Sequence, residues 1–497
     1  MTGQLRETLV EIGGSMPAAR LTPDVWRRGR RARIRAGWLR AGAAASVIGL
    51  VVGLVVTLAP RSSAPAPQNF GDAESAVPRT VGVPWMWQAT VQMDAPGPAS
   101  VLYGGDTIGL RGTDWFDSEG KLAVVGRGSG KTRTLLYGGV DDITAGEDVL
   151  LSPDGRKVAS PYLLEGELDS GSDEGLVVTD LTTGKSRRYT GGLKTGCCQP
   201  VAWAPDGRSL LASVLGPYKK NARTGIERPV ERLALLDLDT DKVEMLGEFR
   251  PGEEIRHASA AAFMPDGQRF VVSVGNGLRM MDRSGTVLWT AGIGPNGYLA
   301  GAGAVTRDGT AIAVAELSGC LGECDTRQLA TRTWTIRFLD AETGKPSAPA
   351  GRFPAVTGMA VRALGWTDDG ELVLLRHTPA DGTHKKKDDP EWDDTGWWET
   401  GHVTLLGLRP DGTVRTLLDP PDGVLTMDVP ADLIHRSRFG GPPSTSEMFP
   451  ARPIIWVVIA ALWVATMIGL GLMILLARAW RRRRSARRIR PPSRVFA

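Results

Sequence analysis

Histidine is scarce: His257, His377, His384, His402 and His435 are the five in 497 residues, and no His-Glu-x-x-His pair occurs. No Gly-x-Ser-x-Gly elbow occurs either, so two common hydrolase signatures are excluded. Cysteine is equally sparse, as Cys197-Cys198 and Cys320-x-x-x-Cys324. These spacings, with no histidine close by, do not make a zinc site. We therefore expect no catalytic, cofactor-binding or metal-binding residues and no enzyme. An enzyme that assembles its site from scattered loop residues would escape this test. Acidic residues are missing altogether from 478–497, where nine arginines stand.

That last absence points to a split in charge. The net charge of +4 hides nine arginines in residues 1–40, against Glu7, Glu11 and Asp24, and the nine at the other end. The two ends carry +15, which leaves −11 for everything between. Each arginine block abuts an uncharged apolar run, the nineteen residues Ala41–Ala59 and the twenty-four residues Ile454–Ala477. A bilayer core needs about 20 apolar residues, so both runs are expected to be transmembrane helices. Arginine-rich flanks stay in the cytoplasm, which places both termini inside and residues 60–453 outside. A cleaved signal peptide is the rival for the first run, but its charged lead of about 40 residues is too long. Arginine runs also bind nucleic acid. Beside a span, topology and anionic lipid account for them, and no nucleic-acid partner is expected.

Gly 62 and Pro 33 are abundant, which fits many short strands joined by tight turns. The stretch Val201–Ser213 reads strand, turn, strand, with Pro205-Asp206-Gly207 as turn chemistry. Its turn glycine returns at Gly120, Gly155, Gly267, Gly309 and Gly370, a mean spacing of 50 residues. That period belongs to propeller blades. Most units carry a second half: Leu176–Arg188, Leu233–Leu246 and Ile336–Lys345 each read as third strand, turn and fourth strand. The fold class expected is all-β, a β-propeller of six blades with seven kept open, flanked by two single transmembrane α-helices. Ser100–Gly105 is echoed by 134–139, and a strand supplied from outside the first full blade would close the ring. Pro84-Trp85-Met86-Trp87 is expected to cover the first blade, and a docking surface is the other reading.

The Ser-Pro-Asp-Gly-Arg hairpin followed by Asp-x-x-Thr-Gly resembles TolB-type and WD-repeat propellers, over about residues 81–430. The resemblance implies fold and is nearly silent on function. A looser one covers the start of the chain. Leu5–Leu9, Leu21–Asp24 and the arginine block before a span resemble the cytoplasmic tails of actinobacterial membrane proteins associated with alternative sigma factors. It implies a cytoplasmic protein partner for the N-terminal tail. The other reading of Gln4–Ser15 is a short amphipathic helix on the membrane surface.

The organisation expected is a cytoplasmic Arg-rich tail at 1–40, a span at 41–59, a Pro-rich linker at 60–80 and the propeller at 81–435. A second linker follows at 436–453, then a span at 454–477 and a second Arg-rich tail at 478–497. Outside the membrane the cysteines are expected to oxidise. Cys320 with Cys324 closes a small loop, Cys197 with Cys198 would be vicinal, and a cross-loop pairing stays open. Within the inserted segment Asp381–His402, Trp392, Trp397 and Trp398 interleave with lysines and carboxylates. It is either a solvated charged loop or a partner-binding tip. The function expected is a non-enzymatic binding or scaffolding module of the cell envelope, with a protein or envelope-polymer partner. The alternative is a transmembrane regulator whose N-terminal tail binds a sigma factor or similar partner.

Overall fold

The repeated turns form as their chemistry requires. In residues 204–207 the Gly207 N–H donates to the Ala204 carbonyl at 2.9 Å, and Asp206 Oδ1 accepts from the Arg208 N–H at 2.9 Å. Gly207 has φ +64, a value L side chains avoid. The same closure recurs at Gly155, Gly267, Gly309 and Gly370, each at positive φ. Asp154, Asp266 and Asp308 repeat the side-chain bond two residues on. These aspartates and glycines are turn-makers, as the sequence pattern implies.

The structure, a computed structural model, describes residues 75–85, 88–106, 110, 121–135, 144–162, 175–189, 198–220, 227–249, 261–348, 351–386, 399–444 and 453–488. Six antiparallel blades follow one another. Blade 2 runs Leu150–Leu151, Lys157–Tyr162, Gly175–Asp180, Ser186–Tyr189. Blade 3 runs Cys198–Trp203, Ser209–Lys220, Glu227–Asp237, Val243–Glu248. Blade 4 runs Ala261–Phe263, Arg269–Val274, Gly277–Asp282, Val287–Gly292. Blade 5 runs Gly297–Leu299, Ala311–Ser318, Thr333–Asp340, Pro346–Ser347, with Val356–Thr357 added on Thr333–Asp340. Blade 6 runs Ala360–Trp366, Leu372–Pro379, Thr400–Leu408, Val414–Leu418. First and second strands are almost wholly buried, whereas last strands such as Val287–Gly292 expose alternate residues. Each blade thus packs its faces on its neighbours, and two tryptophan N–H groups find acceptors across the seams. Trp203 Nε1 donates to Leu150 O, and Trp289 Nε1 to Ala341 O.

Blade 1 closes the ring. Its second, third and fourth strands are Ala99–Gly105, Lys121–Gly126 and Thr132–Thr134, but its first is Val424–Asp428, from the far end of the domain. Leu102 pairs with Asp428 and Tyr103 with Met427. A Cβ on Gly105 would lie 1.7 Å from Gly423 O, so only glycine lets the closing strand approach. Without the closing strand, Ala99–Gly105 would present an open edge to another chain.

The phase of the first repeat needs correction. Gly120 lies outside the described residues, but along the chain it falls between Ala99–Gly105 and Lys121–Gly126, the second and third strands of blade 1, whereas the other five turn glycines join first to second strands. Six blades is the right count, but the sixth first strand is Val424–Asp428 rather than a strand before Gly120. Of the echo of Ser100–Gly105 in 134–139, residues 136–139 lie outside the described residues, and the described parts differ. The former is a second strand, and Thr134 ends a fourth. Trp85 is 56% exposed and does not cover the blade. Met86 and Trp87 lie outside the described residues.

Both expected linkers contain paired backbone. Val77–Pro78 and Phe439–Gly441 form a short parallel pair, and the Gly82 N–H donates to Ser444 Oγ at 3.0 Å. Helix α1 (Thr326–Ala330) lies within blade 5, and helix α2 (Ala431–His435) follows the closing strand. The remaining described element is helix α3, Pro453–Arg488, which belongs to a separate unit. Its segment Val457–Arg481 is apolar and long enough to cross a membrane, with mean hydropathy 2.5. The first expected span, 41–59, and the tail 1–40 lie outside the described residues.

Candidate binding site

The turns between first and second strands gather at one end of the ring, around a cavity of about 270 Å³. Its walls come from equivalent positions of successive blades. Trp203, Phe263 and Trp366 end the first strands of blades 3, 4 and 6, and Pro153, Pro205 and Pro265 begin turns. Proline fixes φ there and offers a flat apolar ring. Asp154, Arg307, Asp432 and His435 complete the rim.

Helix α2 is what builds the rim. The Asp432 N–H donates to Pro153 O in blade 2, and its carboxylate accepts from both Arg127 Nη atoms of blade 1, one at 2.6 Å. Arg436 Nη2 adds a third donor at 2.8 Å. The His435 carbonyl accepts the Asp368 N–H of blade 6 at 2.9 Å. One five-residue helix thus ties three blades at the mouth. Burial lowers the His435 pKa, Arg307 adds to the effect, and Asp368 and Asp432 oppose it. Arg307 pairs with Asp368 at 3.4 Å, and Ser152 Oγ donates to Asp154 Oδ1 at 2.7 Å.

Beneath the mouth, between the first strands, lies a cluster of buried charge. Arg362 Nη2 donates to Ala145 O at 2.9 Å and Met427 O at 2.7 Å, and its Nη1 lies 3.2 Å from Glu147 Oε1. Asp428 accepts the Leu151 and Val429 N–H groups, each at 2.9 Å. Burial pushes its carboxyl up to about 6, with Arg362 and those two bonds pulling the other way. His377, on the second strand of blade 6, is 0% exposed, and neither ring nitrogen has a partner of good geometry. Burial, with the Arg362 and Lys385 charges, holds its pKa down to about 3. This cluster joins blade 6 to the closing strand and to the loop before blade 2. The Arg362 Nη2 donor is used in holding the ring.

Most rim groups of the mouth are thus already paired, and the walls are apolar. That combination suits contact with a partner's side chain or chain end. Among the described residues no group of three or more His, Cys, Asp or Glu is placed to hold a metal ion.

The residues singled out from sequence fall elsewhere. Cys320 and Cys324 form a disulfide in the loop between the second and third strands of blade 5. Cys198 is buried in the first strand of blade 3. Cys197, Trp392, Trp397 and Trp398 lie outside the described residues. The mouth residues went unread because they come from six distant stretches. The one local signal for α2 was Pro430, whose fixed φ starts a helix well, followed by Asp432 in the first turn.

No protein-family model matches the chain, and no curated protein does. Solved structures do resemble it. TolB from Acinetobacter baumannii is 16% identical, over 68% of this chain and 68% of that one, with a TM-score of 0.34. An oligogalacturonate lyase in complex with manganese is 13% identical, over 68% and 78%, with a TM-score of 0.38. The β-propeller domain of the Trilobed protease from Pyrococcus furiosus is 14% identical, over 53% and 68%, with a TM-score of 0.30. These likenesses say nothing of activity. The blade count rests on the strand pairing described above.

Proposed function

We propose that the chain is a membrane-anchored propeller that acts outside the cell membrane as a non-enzymatic binding or scaffolding module of the envelope, with the ring mouth as its contact surface. The observation that carries this reading is the union in one chain of a closed ring with the apolar segment Val457–Arg481, which runs into an arginine block. At about 1.5 Å per residue its 25 residues reach about 37 Å, against a hydrocarbon core of about 30 Å. The Cys320–Cys324 disulfide supports an oxidising location. An epitope inserted at Gly412, a hairpin tip with open space around it, should bind antibody on intact protoplasts. A C-terminal epitope should require permeabilisation. The reverse pattern would overturn the topology.

The second reading is a regulator whose N-terminal tail binds a sigma factor or similar cytoplasmic partner. It is favoured by the tail's resemblance to such proteins. Deleting residues 2–19 while keeping the arginine block should abolish a cytoplasmic partnership and spare binding at the mouth.

A further inference from the structure

The loop of blade 5 and the inserted loop of blade 6 are sewn together around Cys324, where the neighbouring Glu323 also faces His384 at 3.3 Å and Lys386 at 3.9 Å. Cys324 is buried with Leu329 and Met359. Its N–H donates to Lys385 O at 2.8 Å and its carbonyl accepts the Lys385 N–H at 3.0 Å. Thr326 Oγ1 donates to Thr383 O at 2.9 Å on the same stem. The Lys385 side chain, only 2% exposed, pairs with Glu399 on the opposite stem at 2.5 Å. Both stems of the segment that carries Trp392, Trp397 and Trp398 are therefore registered against Cys324. Beside that cysteine stands Arg332, also 2% exposed. Its Nε donates to Cys320 O at 3.2 Å, and its Nη2 lies 3.7 Å from Cys324 Sγ.

We propose that Cys320–Cys324 is a reducible lock on the stems of the Asp381–His402 loop, and that the Arg332 guanidinium sets how readily it opens. Thiol–disulfide exchange goes fastest when the departing sulfur is stabilised as a thiolate, and a neighbouring cation does that. Cys320 is the more accessible sulfur, since Cys324 is fully buried. The reductant, by class, is a dithiol. One of its thiolates attacks Cys320 Sγ, and the S–S bond breaks with its electron pair leaving on Cys324 Sγ beside Arg332. The second thiol of the reductant then attacks the mixed disulfide. It releases Cys320 as a thiol after proton uptake and leaves the reductant as a cyclic disulfide. Two electrons pass to the protein. Cys324 then loses its covalent tie to Cys320 within the blade 5 loop, and its register against Lys385 is left to the two backbone hydrogen bonds alone. The inference rests on the loop geometry alone and stands whatever binds at the mouth.

The test uses the full-length protein in detergent micelles. The disulfide is equilibrated with reduced and oxidised dithiothreitol and quantified by alkylation and mass spectrometry. At pH 10, where the released thiol is ionised in both proteins, Arg332→Met should lower the equilibrium constant for reduction about tenfold, the worth of one unit of thiolate pKa, and Arg332→Lys should restore much of it. Arg332→Met within twofold of the wild type would overturn the role of Arg332. Independently of that variant, trypsin cleavage after Lys385 should accelerate about tenfold on reduction. A Cys320→Ser/Cys324→Ser variant should cleave at the reduced rate without reductant, which separates this pair from Cys197 and Cys198. Equal cleavage of oxidised, reduced and serine forms would overturn the lock.

Discussion

Replacing His377 with leucine should change how the stability of the ring depends on pH. His377 is fully buried, and its pKa is held down to about 3 by burial, then Arg362 and Lys385. In the unfolded chain it titrates near 6.5. Between those values the unfolded state holds a proton that the folded state does not. Stability therefore falls as pH falls, by about 1.4 kcal/mol per unit. Asp428 works in the opposite sense. Burial raises its pKa to about 6, so between 6 and about 4 the folded state holds the extra proton and acid stabilises. In the wild type the two slopes nearly cancel over that window. His377→Leu removes one of them. The stability of the variant relative to wild type should rise by about 2 kcal/mol from pH 6.5 to pH 5. Urea unfolding followed by tryptophan fluorescence at both pH values measures the difference, and contributions common to both proteins drop out. A difference that does not change with pH would refute the reasoning, because it would mean that folded His377 carries its proton like an unfolded one.

Asp432→Ala should strand the Arg127 guanidinium, whose side chain is 9% exposed, and release α2 from blade 1. About 3 kcal/mol of stability should be lost, the low end for breaking a buried pair, because Asp432 itself is 31% exposed. Thermal unfolding of the variant checks this, and an unchanged midpoint would contradict the role given to α2. Gly155→Ala should cost more than Gly412→Ala. Both sit at positive φ, but a Cβ at Gly155 meets Ala99 O at 2.4 Å and one at Gly412 meets nothing. Equal losses in the two variants would count against close packing of the blade 2 turn on blade 1.

What was legible in the sequence was local. The motif Pro205-Asp206-Gly207 announces its turn because proline, aspartate and glycine each satisfy one requirement of four consecutive residues. The Cys320–Cys324 pair was legible for the same reason, since only three residues stand between the partners. Ring closure was not. Val424–Asp428 pairs with Ala99–Gly105 across more than 300 residues, and a strand's sequence does not name its neighbour. The same turn chemistry before Gly120 therefore passed as a repeat in phase. Nor does composition reveal which cations are buried. Nothing local marks Arg332, Arg362 or Lys385 for burial; tertiary packing supplies Cys324, Met427 and Glu399 as their partners. Asp241 occupies the left-handed turn position, at φ 58, where other blades carry glycine.

The central claim is that this propeller binds a partner outside the membrane through its mouth. A photo-cross-linking amino acid at Arg307, on the rim of the cavity, tests it most directly in living cells, with the same probe at Leu288 on the exposed outer strand of blade 4 as control. A discrete adduct with an envelope protein or polymer is expected from position 307 and none from 288. Identical adduct patterns from the two positions would contradict it.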